Sequence, residues 1–71
     1  MVGRVAMVNE ESRFVLVVCD AWRAPVEGTA LKAMRGDVET GILNVTAERR
    51  GAYVTADIVT GSPSQGDQVF Q

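Results

Sequence analysis

Histidine is absent from this chain, and cysteine occurs once, at Cys19. An internal disulfide is therefore impossible, and a zinc site would lack its two commonest kinds of ligand. The missing imidazole also removes the most frequent general base in enzymes. Cys19 sits in an apolar run with no activating partner beside it, which suits an inert small hydrophobe rather than a nucleophile. The carboxylates of Glu10, Glu11, Asp20, Glu27, Asp37, Glu48 and Asp67 fall on expected turns, where solvated charge belongs. No catalytic, cofactor-binding or metal-ligating constellation emerges. The expectation is a protein that is not an enzyme and needs no cofactor.

Concentrated positive charge is missing as well. The net charge is −2, and Arg4, Arg13, Arg23, Lys32, Arg35, Arg49 and Arg50 are scattered, with only the last two adjacent. Nucleic-acid binders usually carry a basic patch, so no nucleic acid is expected as a partner. A nucleic-acid-binding small β-barrel is the alternative reading. Long hydrophobic runs are missing too. The longest, Phe14 to Cys19, has six residues, against the roughly 20 that a membrane helix requires. No basic amphipathic stretch suggests a membrane-surface helix. Membrane insertion is not expected. No secretory signal pattern follows Met1. That fits a cytoplasmic protein, or a cell-envelope one if the chain is a domain of a longer exported protein.

These absences bear on stability. The chain has 71 residues, a size at which folding buries only about 60% of the unfolded surface. One core of this size supplies roughly 3–5 kcal/mol. With disulfides and metals excluded, a closed barrel or self-association remains as reinforcement. The 46% of hydrophobic residues is ordinary for a globular domain and argues against disorder.

What is present reads as strands. The run Phe14-Val15-Leu16-Val17-Val18-Cys19 is rich in valine and suits a buried pleated surface. It is short for a helix and carries no 3.6-residue pattern. Val2–Val8 precedes it as a first strand, joined by the polar turn Asn9-Glu10-Glu11-Ser12. Gly3 marks a bend or a close backbone approach. Thr29–Met34 is a third strand with Leu31 and Ala33 on one face. Val38–Ala47 is a fourth, with Gly41, Leu43, Val45 and Ala47 on one side and Ile42 among the polar residues of the other. Glu48-Arg49-Arg50-Gly51 reads as the next turn. Ala52–Val59 is a fifth strand, with Val54, Ala56 and Ile58 sharing a face. Asp67–Gln71 closes the chain, with Val69 in the core. Short strands with turns every 8–12 residues, about the spacing of barrels and sandwiches, argue for an all-β fold. A single SH3-like barrel of five or six antiparallel strands is the economical solution, because closure removes exposed edges. The whole chain, 1–71, is read as one small β-barrel domain.

Three motifs invite a functional reading. Arg35-Gly36-Asp37 matches the tripeptide that integrins read, yet it also makes an ordinary glycine-containing β-turn. Asn44-Val45-Thr46 matches a glycosylation sequon, but lies within a strand. Trp22, followed by Arg23 and Pro25, sits on the long connection Asp20–Gly28. Trp and Arg dominate interface hot spots. A small domain equally needs a large apolar side chain to cap its core.

The order Gly3-x-Val5, an apolar strand, Pro25-x-x-Gly28, Leu31, Arg35, Gly41-x-Leu43-x-Val45, Ala56-Asp57-Ile58, Gly61 and Gly66-Asp67-x-Val69 resembles small SH3-like β-barrel domains attached to bacterial cell-envelope proteins. The C-terminal domain of the flagellar assembly protein FlgT is one of that group. The resemblance covers nearly the whole chain and rests on glycine, turn and apolar positions. It implies a barrel whose Gly66-Asp67-Gln68-Val69 turns into the closing strand, and it brings no catalytic motif. The chain departs from it at Asp20-Ala21-Trp22-Arg23, where that group has a glycine-rich polar turn.

The functional expectation is a non-catalytic interaction or structural module, part of a larger envelope-associated protein or assembly. Its partner is a protein or a second copy of itself, as a homo-oligomer. If Phe14, Leu16 and Val18 point inward, Val15, Val17 and Cys19 form an apolar outer face. Exposed patches of that kind mark interfaces. The expected interface residues are Val15, Val17, Trp22 and Arg23.

Overall fold

The computed structural model describes residues 1–19 and 25–71, with the backbone alone at 48–50. Six strands appear among them: β1 (Gly3–Asn9), β2 (Phe14–Cys19), β3 (Ala30–Arg35), β4 (Val38–Arg50), β5 (Tyr53–Gly61) and β6 (Gln68–Phe70). They close into a barrel in the order β1-β2-β5-β4-β3-β6. Every neighbouring pair is antiparallel. The all-β antiparallel barrel of five or six strands expected from the strand and turn spacing is observed, closed and with six strands, at the size of a small SH3-like barrel.

Alternation along the strands fills the interior. Leu31 and Ala33 of β3, Leu43 and Val45 of β4, Val54, Ala56 and Ile58 of β5, and Val69 of β6 are all buried, as their spacing predicts. β1 contributes Val5, and after a register shift between Val5 and Met7 it turns Val8 against the same core. Gly3 packs so closely on the Val18 carbonyl that a β-carbon would overlap it, which is the close approach its position suggests.

The orientation of β2 is the reverse of the expected one. Val15 and Val17 are 0% exposed and belong to the core, while Phe14, Leu16 and Val18 are half-buried on the outside. Register decides this. Val17 lies between Val5 of β1 and Val54 of β5, and Val15 between Val8 and Ala56. Those partners all face inward, so β2 must follow them. Volume agrees with register. The interior of a small closed barrel is just wide enough for side chains, and it takes the compact valines of β2 and leaves the bulkier Phe14 out. No described aromatic side chain is among the core residues: Phe14 and Phe70 are half-buried and Tyr53 is exposed.

Two other expectations shift. β4 runs on through Arg50, so residues 48–50 are strand rather than turn, and the turn is Gly51-Ala52. A register shift between Val45 and Arg49 breaks the alternation there. Ala47 is consequently exposed instead of following Leu43 and Val45 inward.

Candidate functional site

The outward side chains of β1, β2, β5 and β4 line up in three rows. Arg4, Val18 and Tyr53 form the first, through the pairs Arg4↔Val18 and Val18↔Tyr53. Met7, Leu16 and Thr55 form the second. Asn9, Phe14, Asp57 and Asn44 form the third. β2 supplies the middle of each row, so Phe14, Leu16 and Val18 make an apolar stripe down the centre. Met7 and Tyr53 widen it, and both are large hydrophobics more than 40% exposed (41% and 44%). The strand is apolar on both faces because one face fills the barrel and nothing among the described residues fully covers the other.

A shallow depression of about 180 Å³ lies at the acidic end of this face, lined by Phe14, Thr46, Thr55 and Asp57. The Thr46 hydroxyl donates to the Thr55 carbonyl at 3.2 Å and also contacts the Thr55 hydroxyl. Thr46 follows Val45 and Thr55 precedes Ala56, so the Val45↔Ala56 pairing sets the two threonines side by side. The face is thus polarised: a cation, Arg4, stands at one corner and an anion, Asp57, at the corner diagonally opposite. Arg35–Asp67 is the one ion pair among the described residues, so neither Arg4 nor Asp57 has an ionic partner there.

A second polar cluster lies near β6. Asp67 is only 3% exposed and is the one buried charged residue among the described residues. Its carboxylate accepts from Arg35 Nε at 3.1 Å, from the Thr40 hydroxyl at 2.7 Å and from the Ser64 amide at 2.8 Å. Burial alone would raise its pKa. The Ser64 amide, the Thr40 hydroxyl, and the hydrogen bond and charge of Arg35 outweigh that and hold it below its ordinary value. Asp67 is therefore not the solvated turn charge expected. It ties the start of the three-residue β6 to both strands of the β3–β4 hairpin.

That cluster also bears on the Arg-Gly-Asp tripeptide. The hairpin tip is where the sequence places it: Gly36-Asp37 is a two-residue turn between β3 and β4, with Gly36 at φ +62°. Glycine at the first turn position suits a type II′ hairpin. Arg35, however, ends β3 and commits its Nε to Asp67. Asn44-Val45-Thr46 lies inside β4, with Val45 in the core.

Of the residues expected to form an interface, Val15 and Val17 are corrected to core, because their β1 and β5 partners turn them inward. Trp22 and Arg23 lie outside the described residues, as does the departure from the resemblance at Asp20–Arg23. Cys19 is half-buried against the core. No three His, Cys, Asp or Glu among the described residues come together as a metal site. No helix among them is long and apolar enough to cross a membrane. Comparison with known proteins finds no matching family model, curated protein or solved structure.

Proposed function

We propose that this domain is a non-catalytic interaction module that contacts a polypeptide partner through the outer face of β1, β2 and β5. One observation carries the reading: β2 presents Phe14, Leu16 and Val18 outward between the exposed Met7 and Tyr53. Contiguous apolar surface of that kind mostly serves interaction. Met, Tyr and Phe are enriched at protein interfaces, and all three residue types occur here. The polar corners at Arg4 and Asp57 resemble the charged rim that surrounds an apolar interface centre. A setting in a larger envelope-associated protein or assembly goes with this proposal, and it rests on the resemblance of the glycine and turn pattern alone.

The test uses a photo-crosslinking amino acid placed at Leu16 and, as a control, at the exposed Lys32 of β3. The Leu16 position is expected to yield a discrete polypeptide adduct, and the Lys32 position none. Equal labelling from both positions, or no adduct from Leu16, would overturn the reading.

A further inference from the structure

We infer that the partner of this face is a second copy of the same chain, docked about a two-fold axis. The inference rests on the interaction reading above and identifies its occupant. It is carried by the arrangement of charge around the apolar stripe.

Strand geometry sets the scale. Val18 and Phe14 are four residues apart on β2, about 13 Å at the usual rise. β1 and β5 flank β2, so Arg4 and Asp57 are offset by about 10 Å across the strands. Arg4 and Asp57 thus stand at opposite ends of one diagonal, and Leu16 occupies its midpoint. Take a two-fold axis lying in the plane of contact, perpendicular to that diagonal and passing over Leu16. It exchanges the two ends of the diagonal. Each Arg4 then meets the Asp57 of the other copy, Leu16 meets Leu16, and the Phe14 end of one stripe comes over the β1 side of the other, near Met7. This is an isologous contact, the commonest symmetry among soluble oligomers. The same operation sets the two β2 strands nearly at right angles, one of the accepted packings for two sheets.

Self-complementarity is what selects a second copy over another partner. A face with one sign of charge would repel itself and call for a partner of the opposite sign. Among the described side chains this face carries one of each, placed where a single rotation pairs both. Neither Arg4 nor Asp57 has an ionic partner among the described residues. A face of about 13 Å by about 10 Å between its corner residues is well short of the about 800 Å² per partner of a standard interface. The association is therefore weak and concentration-dependent.

The test is sedimentation equilibrium from about 10 μM to about 1 mM, the range in which a small interface assembles. The wild-type mass should rise towards that of a dimer. Arg4→Asp and Asp57→Arg should each raise the dimer dissociation constant about tenfold or more, because each sets like charges together twice per dimer. The double variant Arg4→Asp/Asp57→Arg should return it to near the wild-type value. Leu16→Lys should abolish assembly while circular dichroism and the melting temperature show a folded monomer. A wild-type chain monomeric at about 1 mM would overturn the proposal. So would single charge reversals without effect, or a double variant as weak as the singles. A monomeric chain whose Leu16 photo-crosslinker still captures another polypeptide would overturn self-association and leave the interaction reading standing.

Discussion

Replacing Asp67 by asparagine removes the buried charge and keeps the shape of the side chain. Arg35 Nε donates to one carboxylate oxygen, and the Thr40 hydroxyl and Ser64 amide to the other. An asparagine has one acceptor oxygen and one amide. Its best orientation keeps oxygen towards Thr40 and Ser64 and turns the amide towards Arg35, where donor meets donor. The Arg35 side chain is 60% exposed, so it can swing into water, and that ion pair contributes only about 0.2–1 kcal/mol. The other two hydrogen bonds survive but lose their charge assistance, which roughly halves charge-assisted bonds. Together these give a loss of about 1–2 kcal/mol. At roughly 4–8 °C per kcal/mol for a domain of this size, the melting temperature should fall by roughly 5–15 °C. The pH dependence supplies the sharper check. Asp67 has a lowered pKa in the folded state. Its contribution is therefore present above the unfolded value of about 3.9 and is lost as pH falls through the folded value. Thermal denaturation followed by circular dichroism at pH 7 should separate wild type from Asp67→Asn. The gap should narrow as pH drops below about 4, where the unfolded chain takes up the proton, and close as the native carboxylate becomes neutral at its lowered pKa. Equal melting temperatures at pH 7, or a gap that stays constant down to pH 2 or so, would refute the account of Asp67 as an ionised latch on β6.

Val17→Lys should unfold the domain. It places an ammonium at a position with no exposure in a fold whose core supplies roughly 3–5 kcal/mol. The neighbouring Leu16→Lys should leave the chain folded, and urea titration of the two variants side by side tests the orientation of β2. Gly61→Ala should destabilise by at least about 1–3 kcal/mol, since Gly61 has φ +84° and its added methyl would press on the Thr40 carbonyl and the Gly41 backbone. A melting temperature unchanged from wild type would contradict that geometry. Arg35→Ala should lower the melting temperature less than Asp67→Asn, because it removes only the exposed half of the ion pair. Finally, the chain should pass through a heparin column at low salt without retention, given its net charge of −2. Salt-sensitive retention would instead favour a nucleic-acid-binding barrel.

The site was less legible in the sequence than the fold. The threonine pair of the outer depression depends on which residues of β4 and β5 face each other, Val45 with Ala56, which no residue pattern announces. The buried role of Asp67 depends on Arg35 and Thr40, 32 and 27 positions away in the chain. A single carboxylate in Gly66-Asp67 looks like any turn acid until its distant donors are known.

Local chemistry determined the elements. Period-two alternation in β3, β4 and β5 marked Leu31, Leu43, Val45, Val54, Ala56 and Ile58 as one inward set. Short spacing between turns marked an all-β chain, and the absence of disulfide and metal ligands pointed to closure as its reinforcement. Tertiary structure alone decided which face of β2 is inside. Its six residues are apolar on both sides, so alternation carries no information there, and two registers one residue apart look equally good in isolation. Pairing with Val5 and Val8 on one side and Val54 and Ala56 on the other breaks that tie. It sends Val15 and Val17 into a narrow interior and turns Phe14, Leu16 and Val18 out, where a partner can meet them.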